Sequence, residues 1–328
     1  MRKIRWGVLS TGIIAHCFAK ALQATADAEL YAVSSRSAGK AAAFAAQYGF
    51  ERSYGSAEEM LADENVEAVY IASPMSCHYE DSLKCLRAGK SVLCEKTITL
   101  NCAQLDEILK LAKEKNLFFM EAMWMKTLPH YRQAKKWVDE GKIGSIRMIR
   151  SDFMNRCEGS PESRLFRPDL GGGALLDLGV YNLTFSMDLL GYQPEQITAS
   201  AVMKNGVDYD DAVWLRYGDA LAVMTFGFDS QAENSAGIIG DKGMIVFPDW
   251  FFCSDRVCLY DENNKLVQDV KIPHVRNGYE YEIAEVDRCI KEGLTESPLV
   301  PHKETRDVMV VIDMIKEQID LHFPGEEI

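Results

Sequence analysis

The chain has no C-x-x-C pair, no excess of positive charge and no apolar run of the length a bilayer demands. Lys and Arg number 36 against 49 Asp and Glu, a formal charge of −13. That balance argues against nucleic acid or an anionic membrane as the main partner. An anionic cofactor stays compatible, given a local cluster of backbone amides and a few cations. Nine cysteines, an odd number without paired spacing, read as reduced thiols rather than a disulfide framework. Cys94 and His78 have no metal-ligand spacing, so no metal is expected. Met1–Gly7 runs straight into a strand without the apolar region of a signal peptide, and nothing approaches a membrane span. The expected location is the cytoplasm.

What is present suits an ordinary globular protein: 328 residues, 47% apolar and 26% charged, enough for about two domains. Up to Glu121, short apolar strands alternate with helical stretches. Strands are expected at 4–9, 30–34, 68–72, 91–94 and 117–120, and helices at 15–25, 38–48, 57–63, 78–88 and 103–115. Buried parallel strands separated by helices make a doubly wound Rossmann sheet, with its ligand crevice at the strands' C-terminal ends. Beyond residue 122 the rhythm changes. A helix (131–140), a strand (145–153), an Arg-, Pro- and Gly-rich loop (157–172) and a helix (174–190) come first. Seven strand-like runs between 197 and 272 follow, then helices near 279–292 and 303–322. Strands following strands imply an α+β domain with a large, mainly antiparallel open sheet. The boundary is set at 122/123, separating a dinucleotide-binding domain from a substrate-binding and oligomerisation domain.

The first strand runs into Ser10-Thr11-Gly12-Ile13-Ile14-Ala15. A dinucleotide turn asks for glycine at the tight turn, glycine where backbone meets pyrophosphate, and a small residue where helix meets sheet. Gly12 and Ala15 fit the last two roles, while Ser10 stands at the first; an ordinary strand–turn–helix shares this spacing. The second strand ends in Ser34-Ser35-Arg36-Ser37, and no Asp or Glu occurs between Tyr31 and Phe50. NAD sites want a carboxylate there for the ribose hydroxyl, whereas an NADP phosphate prefers an arginine with small hydroxyls. NADP(H) is therefore expected over NAD(H), through Arg36 with Ser35 or Ser37.

Three further motifs follow in order: Val92-Leu93-Cys94-Glu95-Lys96, Glu121-Ala122-Met123-Trp124, and Gly171-Gly172-Gly173-Ala174-Leu175-Leu176-Asp177-Leu178-Gly179-Val180-Tyr181. With these the chain resembles the Gfo/Idh/MocA oxidoreductases over nearly its whole length. The resemblance is strongest to the branch of dimeric dihydrodiol dehydrogenases and NADP-dependent D-xylose dehydrogenases. It implies hydride transfer between a nicotinamide and a carbinol carbon of a sugar, polyol or trans-dihydrodiol. It places Glu95-Lys96 at the family's Glu-Lys-Pro motif, with Lys96 near the nicotinamide and Thr97 replacing the proline. Tyr181 takes the place of the general acid/base and Asp177 that of a substrate-binding carboxylate. Four residues apart on a helix, Asp177 and Tyr181 share a face. Ser73, Pro74 and His78 resemble the segment under the cofactor, with Met75 where the family often carries a polar residue.

Trp124 lines the nicotinamide pocket or packs in the core, and Arg164 and Arg167 reach a polar substrate or solvent. A homodimer or homotetramer through the exposed face of the C-terminal sheet is expected, with Val223, Phe226, Phe228 and Trp250-Phe251-Phe252 as its apolar candidates. A nucleotide-sensing regulator, or an imine or tetrapyrrole reductase, would use the same fold.

Overall fold

A computed structural model of the chain describes residues 2–157 and 162–326. Residues 158–161 of the expected loop lie outside the described residues. The chain forms two compact units. The first holds β1 (Ile4–Leu9), α1 (Ile13–Ala24), β2 (Ala28–Ser34), α2 (Ala38–Tyr48), β3 (Arg52–Tyr54), α3 (Ala57–Ala62), β4 (Ala68–Ile71), α4 (His78–Arg87) and β5 (Ser91–Glu95). Nearly all of α5 (Cys102–Lys115) and β6 (Phe119–Ala122) belong to it as well. All pairings in this sheet are parallel, in the order β3-β2-β1-β4-β5-β6. The chain reverses direction of travel across the sheet between β1 and β4, which puts the crevice at the ends of those two strands. Strands β4, β5 and β6 are buried at every position, as strands covered on both faces must be. Helix α2 begins on Ser37, whose hydroxyl accepts from Lys40 N, and ends on left-handed Gly49, a matched pair of caps. Strand β3 was not legible in the sequence, being three residues long and mostly exposed.

The second unit contains α6 (Pro129–Asp139), β7 (Ile146–Met154) and α7 (Val180–Leu190). Seven more strands follow: β8 (Gln196–Lys204), β9 (Val207–Tyr217), β10 (Ala220–Gly227), β11 (Ala236–Gly240), β12 (Gly243–Phe247), β13 (Arg256–Asp261) and β14 (Leu266–Lys271). They form an eight-stranded sheet in the order β14-β13-β12-β11-β7-β10-β9-β8. Only β7 and β10 pair in parallel. Helix α7 packs on β7 and β10, and α6 on β13.

The units do not follow a single cut at 122/123. Residues 274–302, with α8 (Tyr279–Lys291), pack with the first unit, while 100–102 and 303–326, with most of α9 (His302–Ile319), pack with the second. The cause lies in contacts made by α8 and the turn before it. Asp287 accepts from Trp6 Nε1 at 2.9 Å, and Asn277 Nδ2 donates to the Cys17 carbonyl at 2.9 Å. Among the open-face candidates, Val223 is 42% exposed and Trp250 40%, but Phe226, Phe228 and Phe251 lie in the core. Phe226 is spoken for by Gly179, where an added Cβ would stand 2.7 Å from its ring.

Candidate functional site

In the first unit the site begins at the turn after β1. Ser10 has φ +97° and donates its N–H to the Ser34 carbonyl at 3.0 Å. That left-handed conformation is what glycine supplies at this position elsewhere. Gly12 caps α1 with extended backbone and no side-chain bond. A Cβ there would meet nothing in the chain closer than Ser10 Oγ at 3.7 Å. The chain itself therefore has room for a side chain at Gly12, and its lack leaves the first N–H groups of α1 uncovered. No carboxylate occupies that first turn, so the positive end of the helix is open to an anion. Ile13 stands beside it 87% exposed, and Thr11 and Ile14 are half-buried.

Arg36 is exposed just past β2. Ser37 is used as the cap of α2, and Ser35 Oγ accepts from Ser37 N at 3.4 Å. Burial pushes the Cys77 thiol up, and the charge of Arg36 acts against that shift. Arg36 is thus close enough to the loop after β4 to act on it electrostatically.

That loop is pinned by His78, which is 2% exposed. Its Nε2 lies 3.0 Å from the Ser73 carbonyl and its Nδ1 3.0 Å from the Thr97 carbonyl. One imidazole so joins the loop after β4 to the loop after β5, where half-buried Lys96 sits. Ser73 Oγ donates to Asp81 at 2.7 Å, and Pro74 opens the turn that buries Met75. The Lys96–Thr97 peptide is cis. Glu95 accepts a hydrogen bond from Tyr70, which stacks on Phe18 of α1. Its carboxylate belongs to the packed helix layer. Trp124 is 7% exposed and stacks on Tyr279 at the start of α8 at 4.5 Å.

In the second unit the motif from Gly171 to Tyr181 is a tight turn feeding a helix. Gly171 has φ +72°. A Cβ on Gly172 would stand 2.6 and 2.7 Å from the carbonyl oxygens of Arg164 and Leu165, and one on Gly173 would collide with Asp208 Oδ1. The first helical turn, Leu175–Gly179, is π-helical rather than α-helical, and α7 continues from Val180. Asp177, near its start, accepts from Arg164 Nη2 at 3.1 Å. Arg167 pairs with Asp169 at 3.0 Å, two residues along its own loop. Of the two arginines offered to a substrate, only Arg164 meets Asp177.

Tyr181 is 5% exposed and lies among aromatic rings. Phe252 is 4.8 Å from it and Phe153 6.1 Å, and these two stack on each other at 4.4 Å. Sequence reading missed Phe153 and the two carboxylates under the turn, Asp208 and Asp211. Among the described residues, no three His, Cys, Asp or Glu side chains group as a metal site, and no helix is long and apolar enough to cross a membrane.

Comparison with known proteins agrees with this layout. Residues 4–123 match the oxidoreductase family with an NAD-binding Rossmann fold, and residues 131–246 match the GFO/IDH/MocA C-terminal domain. The trans-1,2-dihydrobenzene-1,2-diol dehydrogenases of Xenopus laevis and Homo sapiens are each 31% identical. The alignments cover 98% and 99% of this chain and 99% of each relative. A 3-ketoreductase from Actinomadura kijaniata, solved with NADP and TDP-benzene, superposes with a TM-score of 0.88 at 25% identity, covering 98% of this chain and 100% of its own. A levoglucosan dehydrogenase shares the fold with a TM-score of 0.87 at 20% identity, over 97% and 98% of the two chains. The chain belongs to the Gfo/Idh/MocA family of oxidoreductases, its Rossmann unit being the family's NAD-binding domain.

Proposed function

We propose that the chain is an NADP(H)-dependent dehydrogenase or reductase acting on a carbinol carbon of a trans-dihydrodiol, sugar or polyol. The observation that carries the cofactor half is the pairing of the uncovered α1 terminus at Gly12 with Arg36 past an acid-free strand end. Backbone N–H groups at Gly12–Ile14 suit a pyrophosphate, and the Arg36 guanidinium suits a ribose phosphate. The substrate half rests on the full-length similarity to dihydrodiol dehydrogenases and on Tyr181, whose ring is flanked by Phe153 and Phe252.

The nicotinamide, when bound, supplies the hydride acceptor or donor. The chain's own task is then the hydroxyl proton. Tyr181 Oη takes it during oxidation and returns it during reduction. A free phenol near pKa 10 is a weak base at neutral pH, so a positive charge beside it, such as that of the oxidised nicotinamide, would favour the phenolate. Asp177, held by Arg164, receives substrate hydroxyls. Nine free thiols accord with a reducing, cytoplasmic location. A second copy covers the open face of the eight-stranded sheet, where Met148, Val202 and Val223 are exposed. Light scattering should give a multiple of the 36.8 kDa chain mass; a monomer at high concentration would remove this part.

The test of the reading is nicotinamide absorbance during incubation with trans-dihydrodiols, aldoses and polyols, each supplied with NADP(H) and NAD(H) in turn. Turnover of at least one, faster at low NADP(H) than at equal NAD(H), is the expected result. No turnover of any member with either cofactor would favour a nucleotide-sensing regulator.

A further inference from the structure

Two carboxylates under the glycine turn have no part in the chemistry just described. Asp208 is 0% exposed and Asp211 4%. In a regular strand, residues three apart face opposite sides. Here the β8–β9 register pairs Met203 with Asp208 and Val202 with Asp210, leaving Tyr209 as an extra residue. This bulge turns both acids to one face. Asp208 Oδ2 accepts from Leu175 N at 2.5 Å, at the start of the helix that carries Asp177 and Tyr181. The same carboxylate occupies the space a Cβ on Gly173 would need, and Gly173 has φ +123°. Glycine is required there twice over, once by the backbone and once by Asp208.

We propose that Asp208 is a positioning residue, whose carboxylate fixes the Gly171–Gly173 turn and the first helical turn, and so sets where Asp177 and Tyr181 stand. Asp211 is its proton-bearing partner. Burial, then the charge of Asp208, pushes the Asp211 carboxyl well above the usual carboxylate range, so of the two acids it is Asp211 that holds a proton. Burial also raises Asp208, against the backbone N–H of Leu175, which favours its charged form. A carboxylate at the start of a helix meets both the free N–H groups and the positive end of the dipole. The proton on Asp211 allows that charge to be buried beside a second acid.

The catalytic consequence rests on the proposed roles of Asp177 and Tyr181, so the test has a readout that needs no substrate. Amide exchange followed by mass spectrometry would compare the parent with Asp208→Ala, Asp211→Ala and Asp211→Asn. In Asp208→Ala the amides of 172–180 should exchange at least about tenfold faster, with the β1–β6 unit unchanged. Asp211→Ala should show part of this increase. Asp211→Asn, whose amide can still donate to Asp208, should restore slow exchange. On a substrate the parent turns over, Asp208→Ala should lower kcat at least about tenfold while its NADP(H) affinity stays within twofold. Should Asp208→Ala not fold, Asp208→Asn keeps an oxygen for Leu175 N but not the charge, and should show a smaller rise in exchange over the same segment.

Unchanged exchange at 172–180 overturns the anchoring role, whatever the activity. Fast exchange with unchanged kcat overturns the positioning role and leaves a purely structural one. A parent without turnover defeats the function proposed above, while exchange still decides the anchor.

Discussion

Asp287 shows how a single buried acid can tie stability to pH. It lies on α8 with 1% exposure and accepts from Trp6 Nε1 at 2.9 Å. Burial pushes its carboxyl up to about 7, opposed by the indole N–H and Lys291 and assisted by Asp27. An unfolded aspartate loses its proton near pH 4, so between pH 4 and 7 the folded chain holds a proton the unfolded chain has released. Stability from this site therefore falls as pH rises through that window and levels off above it. Asp287→Asn keeps an oxygen for Trp6 and carries no charge. Its melting temperature should exceed the parent's by at least about 3 °C at pH 8, with the gap closing near pH 4.5. An equal gap at both pH values would contradict this account. None of this was visible in the sequence, because Asp287 reads there as one more acid on a charged helix.

At the scale of elements, the first unit was legible because its strands are continuous apolar runs and its helices carry ordinary caps. The turn after β1 was read through Gly12 and Ala15, and the structure explains Ser10 as a non-glycine residue held at positive φ. The helical stretch 174–190 was read correctly in extent but not in its first turn, Leu175–Gly179, since a π-helical turn changes no residue type. The bulge in β9 was also hidden, as alternation along 207–211 is broken by the very residue that realigns Asp208 and Asp211. The partners of Glu95 and Arg167, Tyr70 and Asp169, were not visible in motif or position. The end of β2 makes the element-scale prediction. Arg36 is exposed there without an acid nearby in sequence, and a hydrogen bond to a charged group is worth about 1.5–3 kcal/mol. Arg36→Ala should weaken NADP(H) about tenfold to a hundredfold and NAD(H) far less, by fluorescence titration. Equal losses for both cofactors would count against the phosphate assignment.

On the scale of the whole molecule, the change from alternating strands and helices to consecutive strands identified two architectures in one chain. The order of strands did not follow from the sequence, nor did the return of residues 274–302 to the first unit. That return depends on side-chain pairings such as Trp6 with Asp287, 281 positions apart. The account's central claim is that the Tyr181 hydroxyl carries the substrate proton. Turnover of Tyr181→Phe at saturating NADP(H), with cofactor affinity measured separately, tests it most directly. Phenylalanine keeps the packing against Phe252 and Phe153 and removes only the hydroxyl. The account predicts a loss of about 10²–10⁴ in rate with cofactor affinity unchanged. Turnover within a few-fold of the parent, with cofactor still bound, would contradict it and move the proton transfer to Lys96, Asp177 or water.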